Sequence, residues 1–255
     1  MYGLKNLLKQ SVALTIANMK SRYRRTFAGF IWVIMNPILV FLIQNFVFRN
    51  ILNIKIDHYV LFLLGGLLPW IFISQTLDMV TPVLVNSANL FKSMTIHPLV
   101  IINAQILDNF INYLFAFLIV LFFSATNCYQ LFHELFALII PMLLLFLGTF
   151  LVSWLLAILH VFYRDTRFVV TVLLNLLFFL TPIFYPISLI PSGVRWIVLF
   201  NPIYSLIEPV REAIYQYQFS DLFTSCLKSL IFSIVFLILA ICVWKKVKNE
   251  LYFKL

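Results

Sequence analysis

Six apolar stretches of membrane-spanning length within 255 residues constrain this chain more than any motif in it. They run over about 30–48, 59–80, 99–126, 135–162, 168–185 and 222–244. A helix needs ~20 mostly apolar residues to cross a bilayer. The runs are continuous, whereas barrel strands alternate over segments of ~10 residues. Helices fit because they satisfy their own backbone groups in lipid. With 63% hydrophobic and 11% charged residues, a chain of this size cannot keep its apolar surface from water by folding on itself. The expected fold class is an all-α integral membrane protein with six transmembrane helices.

Charge orients the spans. With both termini cytoplasmic, the inner segments carry thirteen of the 18 Lys and Arg residues, and only Arg49, Lys55, Arg195, Arg211 and Lys228 fall outside. The positive-inside rule selects that topology. The net charge of +9 then suits an anionic inner leaflet and calls for no nucleic acid. The first apolar run starts near residue 30, is of spanning length and lacks a small-residue cleavage site, so no cleaved leader is expected. Cys128, Cys226 and Cys242 are few, odd in number and widely spaced, which implies neither a disulfide framework nor a zinc site.

Residues 1–29 are predicted to form an amphipathic interface helix on the cytoplasmic surface, ahead of a transmembrane domain over 30–255. Leu4, Leu8, Val12 and Ile16 make an i, i+4 apolar row, with Lys5, Lys9 and Gln10 off it. Arg22, Tyr23, Arg24 and Arg25 follow. This basic cluster suits either contact with lipid headgroups or capture of a phosphorylated headgroup by the forked arginine donors. The stretch 186–221 tempts a seventh span. Its Asn201-Pro202, Glu208, Pro209, Arg211 and Glu212 oppose that, since a central charge costs about 2.5–3.5 kcal/mol on insertion scales. A seventh span would also put the basic tail outside. Two short helices that dip back from the outer face and break near Asn201-Pro202 are expected instead.

Catalysis finds little support. The chain has no GxxxxGK[ST] phosphate loop, no HExxH, no GxSxG and no metal-ligand cluster. His58, His97, His133 and His160 fall near span ends, where a structural role is expected. Asp78 and Asp108 lie within or at the ends of spans and are candidates for function or for a polar contact between helices. Aromatic faces can stack on sugar rings, and Phe178–Pro186, with two prolines, ends at the outer mouth.

Several segments, in order along nearly the whole chain, resemble the ABC type-2 permeases that export polysaccharides. They are SRYRRTFAGFIWVIMNP, LLGGLLPWIFIS, the loop Asn86–Pro98, HVFYRDTRFVV, LLFFLTPIFYPISLIP and FNPIYSLIEPVREAI. Phe27-Ala28-Gly29 and His97-Pro98 depart from the commoner Leu-Gly and Phe-Pro of such proteins. The resemblance implies a membrane subunit that pairs with a second copy of itself and with two ATP-binding cassette subunits. ATP and Mg would sit on the partner, and this chain would bind no cofactor. The implied cargo is a polysaccharide on a polyprenyl pyrophosphate, of the O-antigen, capsule or teichoic-acid type, and the implied site is the bacterial cytoplasmic (inner) membrane. On that basis Arg22, Tyr23, Arg24 and Arg25 would meet the headgroup. Trp32, Phe184 and Tyr185 would line the path, and Asn201, Pro202 and Glu208 would gate its exit. Asn89, Leu90, Phe91, Lys92, Arg164 and Asp165 would contact the ATPase. Two rivals stand beside this reading: the same fold exporting a drug or small lipid, and an ATP-independent transporter or membrane enzyme.

The topology is open to test. In a background lacking the native cysteines, an impermeant thiol reagent applied to intact cells is expected to label a Cys placed at Ser192 and not one at Lys248. Labelling at 248 would invert the orientation.

Overall fold

The computed structural model describes residues 4–23, 31–52, 56–93, 96–127, 136–215, 217–248 and 250–251, and among these no strand occurs. The helices are α1 (Leu4–Tyr23), α2 (Ile31–Asn45, continued by a π-helical turn over Phe46–Ile51), α3 (Tyr59–Val80), α4 (Val83–Asn86), α5 (Ala88–Ser93), α6 (Pro98–Asn127), α7 (Ile139–Phe162), α8 (Thr166–Leu180), α9 (Arg195–Leu199), α10 (Pro202–Tyr215) and α11 (Phe219–Val247). Among the described residues α3, α6, α7 and α11 are long and apolar enough to cross a bilayer, and α8 is a shorter apolar helix. The protein is an all-α membrane protein, as its apolar runs require.

The centre is α3. It is buried along most of its length, from Tyr59 and Phe62 to Leu77 and Val80, and keeps one polar stripe of Ser74, Gln75 and Asp78. Around it pack α6, α7, α10 and, sparsely, α8. The most extensive contact joins α7 and α11. It runs along small residues, with Ser153 and Ala157 on one helix and Ser225, Ser229, Ser233 and Ala240 on the other, all buried. In lipid no hydrophobic force draws helices together, so small side chains that allow close van der Waals contact decide where they meet.

The interface helix docks differently from its apolar pattern. Ser11 and Thr15 are the buried residues of α1, and Thr15 Oγ1 donates to Ala104 O of α6 at 3.2 Å. Leu8, Val12 and Ile16 stay about half exposed. The hydroxyl face meets protein and the apolar row faces outward.

The fifth apolar run, expected to be helical to residue 185, leaves the helix after Leu180. Thr181 is extended (φ −87, ψ 127), the conformation imposed on a residue that precedes proline. At 15 residues, α8 rises only about 22 Å, against ~30 Å of hydrocarbon. The chain then returns through short 3-10 turns and α9 to α10, breaking at Phe200–Asn201. The last span begins at Phe219, three residues before its expected start.

Glycines allow two close approaches, α10 at Gly65 and Gly148 and the break after α8 at Gly66. A Cβ on Gly65 would stand 3.2 Å from Arg211 Cα, one on Gly66 3.3 Å from Ile183 O, and one on Gly148 2.3 Å from Leu206 Cδ2. Those at Gly65 and Gly148 let α10 enter the bundle from one end. Its last residue, Tyr215, meets Phe62 near the start of α3, with ring centroids 5.3 Å apart. Its first turn, Ile203 and Leu206, shares a cavity with Ile73 and Leu77, about 20 Å along α3 at 1.5 Å per residue.

Replacing Gly148 by Ala is expected to overpack the buried Leu206 and lower stability by about 1–3 kcal/mol. Leu206→Ala should restore part of that loss in the double variant, as contacting sites do. Thermal unfolding in detergent reads the cycle, and strictly additive effects would refute the contact.

Candidate functional site

Backbone groups freed from a helix inside a membrane must be satisfied by protein. The break after α8 shows how. Thr181, Pro182, Ile183 and Phe184 are all buried. Arg211 Nη1 donates to Pro182 O at 2.6 Å. Tyr59 OH donates to Phe184 O at 3.1 Å, and Tyr185 OH to Phe179 O at 3.0 Å. Asn201 Nδ2 donates to Thr181 Oγ1 at 2.9 Å. The same Asn201 caps α10, its Oδ1 accepting the N–H groups of Ile203 at 2.9 Å and Tyr204 at 3.3 Å, the usual work of an N-cap amide.

Arg211 continues a polar chain through the bundle. It is 6% exposed, and its Nη2 donates to Tyr204 OH at 3.1 Å. Its guanidinium lies 4.8 Å from the centroid of Phe62 and 5.5 Å from that of Tyr204, within cation–π range. Tyr204 OH donates to Glu208 Oε1 at 2.7 Å, and Lys228 Nζ of α11 stands 3.9 Å from Glu208 Oε2. Ser225 of α11 donates to Glu212. Thus α10 ties the end of α8 to α11. The expected gate residues Asn201, Pro202 and Glu208 all sit in this assembly. Arg211, its hub, did not stand out in the sequence, where it read only as a charge that opposes a span.

A second feature is a polar groove between α3 and α8, about 450 Å³ in volume. Trp70, Ser74 and Asp78 line it at i, i+4 and i+8 on α3 together with Gln75, and Thr171, Asn175 and Phe178 line it from α8. Thr171 Oγ1 lies 3.5 Å from Asp78 Oδ1. Gln75, Asp78, Thr171 and Asn175 are exposed. Polar and ionisable side chains in spanning helices face a bundle interior or a water-filled path, so this face is unsuited to lipid. Aromatic rings close one end: Trp70 meets Phe178 at 5.6 Å, and Phe178 meets Phe184 at 5.0 Å. Of the polar residues here the sequence had marked Asp78 alone, and of the aromatic ones Phe178 and Phe184. The signal that could have found the others is helical spacing of polar residues in two apolar runs, at 74, 75 and 78 and at 171 and 175.

The residues expected to line a path are not brought together. Trp32, on α2, is 59% exposed. Phe184 is interior, stacked on Phe48 at 4.9 Å. Tyr185 is half-buried and spent on Phe179 O. Asp108 is wholly buried on α6, beside Asn109, whose Nδ2 donates to Thr76 Oγ1 of α3 at 3.4 Å.

At the opposite end a second apolar cluster joins Val80, Leu84, Ile102, Ala157 and Val161, with Phe91, Phe162 and Trp244 packed on it. Of the expected ATPase contacts it includes Phe91. Asn89, Leu90, Phe91 and Lys92 form α5, and Arg164 and Asp165 are exposed on the turn between α7 and α8. His97 Nδ1 accepts the N–H of Leu99 at 3.2 Å at the start of α6, and burial shifts its imidazole downward from the ordinary value. Arg22 and Tyr23 close α1, and Arg24 and Arg25 lie outside the described residues. Beside the end of α1 a cleft of about 340 Å³ is lined by Asn18, Ser21, Ser87 and Gln105, among others. Among the described residues no group of three His, Cys, Asp or Glu could hold a metal ion.

Arg211→Met should strand the Pro182 carbonyl and lower stability by about 1–3 kcal/mol. Arg211→Lys should not restore it, because a single ammonium cannot replace the fork. Thermal unfolding of both variants in nanodiscs is the check, and a wild-type midpoint for the Lys variant would show that charge alone suffices.

The profile of the ABC-2 type transporter family matches residues 9–215. The O-antigen export system permease protein RfbA of Klebsiella pneumoniae is 28% identical over 212 residues, 83% of this chain and 82% of the relative. The protein of the same name from Myxococcus xanthus is 28% identical over 225 residues, 87% and 85% of the two chains. The polysialic acid transport protein KpsM of Escherichia coli is 23% identical over 212 residues, covering 79% and 80%.

Proposed function

Because the chain belongs to the ABC-2 type transporter family, we propose that it is the membrane subunit of an ATP-driven exporter. Its cargo is a polysaccharide carried on a polyprenyl pyrophosphate, and it works in the bacterial cytoplasmic membrane with both termini inside. The names of its relatives, O-antigen and polysialic acid carriers, support the cargo class. The observation that carries the reading is the polar groove of α3 and α8. Its exposed Gln75, Asp78, Thr171 and Asn175 are unfavourable against lipid but suited to a hydrated path. Half-buried Phe178, backed by Trp70, supplies an aromatic face, and the amides and carboxylate supply partners for sugar hydroxyls.

In this reading two copies set their grooves face to face, with Trp32 of α2 beside them and Phe184 and Tyr185 bracing the aromatic end. Arg22, Tyr23, Arg24 and Arg25 meet the pyrophosphate at the cytoplasmic end. Two ATPase subunits, which hold ATP and Mg, seat against α5 and the Arg164-Asp165 turn. The assembly of Asn201, Pro202 and Glu208, with Arg211, gates the outer end. ATP and cargo must favour different states for such a cycle to turn.

Asp78→Leu and Asn175→Leu together are expected to lower export about tenfold, a barrier change of ~1.4 kcal/mol, while the protein still inserts. Export is read as polymer at the cell surface against polymer retained inside. Undiminished export with an apolar groove would remove the groove from the path. Gentle purification should also bring down a soluble partner with a phosphate-loop motif, and a chain that reproducibly emerges alone would favour an ATP-independent transporter.

A further inference from the structure

On the side of α8 away from the polar groove the bundle holds another cavity, about 180 Å³. Five helices wall it, with Ile73 on α3, Val152 on α7, Leu173 on α8, Ile203 on α10 and Phe236 on α11. Every lining residue is apolar except Thr149, whose Oγ1 is buried without a hydrogen-bond partner. A buried water needs two to four polar partners, and one hydroxyl does not provide them. Left empty, the walls would forfeit dispersion contacts on their open side. An apolar cavity of ~150 Å³ stays dry yet accepts benzene, so this volume suits about six carbons. Leu173 is 49% exposed and Phe236 half-buried, so the cavity reaches the outer surface of spanning helices, where the solvent is hydrocarbon.

We propose that this cavity binds a stretch of lipid hydrocarbon chain about six carbons long, admitted between α8 and α11. The isoprenoid chain of a polyprenyl lipid and the acyl chain of a phospholipid share the required chemistry. Only the first source rests on the function proposed above. Leu174 of α8 walls both this cavity and the polar groove, so α8 is a partition with hydrocarbon on one side and the proposed glycan path on the other. α8 contacts the bundle sparsely. A chain in the cavity supplies the packing it lacks and touches the first turn of α10, so occupancy links the positions of α8 and α10.

The test uses the full-length protein in bilayer nanodiscs with whatever subunits purify with it. A phospholipid and a polyprenyl phosphate, each with a photoactivated diazirine near mid-chain, are cross-linked in turn and adducts are mapped by peptide mass spectrometry. Adducts on Val152 and Leu156 are expected with at least one probe. They should be lost in Val152→Trp and in Val170→Phe, which fill the space, while adducts on the outward-facing Ile231 and Ile238 persist. A variant counts only if it elutes as the wild-type assembly does. Adducts with the phospholipid alone identify an acyl chain and leave the cavity proposal standing even if the cargo reading fails. Adducts confined to outward-facing residues, or undiminished in the filled variants, would overturn it.

Discussion

The architecture depends on backbone carbonyls released where α8 stops short inside the bundle. Pro182 ends the helix before it has crossed the hydrocarbon, and lipid offers its freed groups no partner. The protein answers with side chains from elsewhere in the chain, Arg211 for Pro182 O and Tyr59 for Phe184 O. At that depth two aromatic faces, a carbonyl and a phenol surround the Arg211 guanidinium. Removal of any of these groups leaves another without its partner, which is why a broken helix and a buried arginine occur together.

From that constraint follows the placement of α10. To bring Arg211 to Pro182 the helix must enter between α3, α7 and α11, and Gly65 and Gly148 provide the clearance, while Gly66 admits the broken segment at Ile183. Asn201 then fastens the start of α10 to Thr181, while Glu208 and Glu212 meet Lys228 and Ser225 of α11. A displacement of α8 is thereby felt at α11 through few intermediates. α8 itself is left with little packing of its own, a polar groove on one flank and an apolar cavity on the other. An element so lightly held and so firmly tied at one end is suited to move as a lever.

Much of the fold was legible. Continuous apolar runs announced an all-α membrane protein, four of whose described helices are long and apolar enough to cross, and Asn201-Pro202 announced the break before α10. The family resemblance carried by the ordered motifs agrees with the match over residues 9–215. The candidate site was less legible. Asp78 drew notice because a carboxylate in an apolar run is costly, whereas Ser74, Gln75, Thr171 and Asn175 are individually unremarkable and acquire meaning only when two helices set them face to face. Phe184 shows the converse. Its aromatic character was visible, but the burial that takes it out of any groove was not.

What the sequence determined by itself is what local chemistry dictates: helices along the apolar runs, and a break where proline forbids the helical conformation before it. The tertiary structure decided which faces meet. α1 docks by Ser11 and Thr15 rather than by its apolar row, because in lipid apolar surface has no preference for protein and close contact through small side chains does the selecting. For the same reason the hub arginine, the close glycine contacts and the two flanks of α8 belong to packing, since each is made by residues distant in sequence whose types suited many other partners.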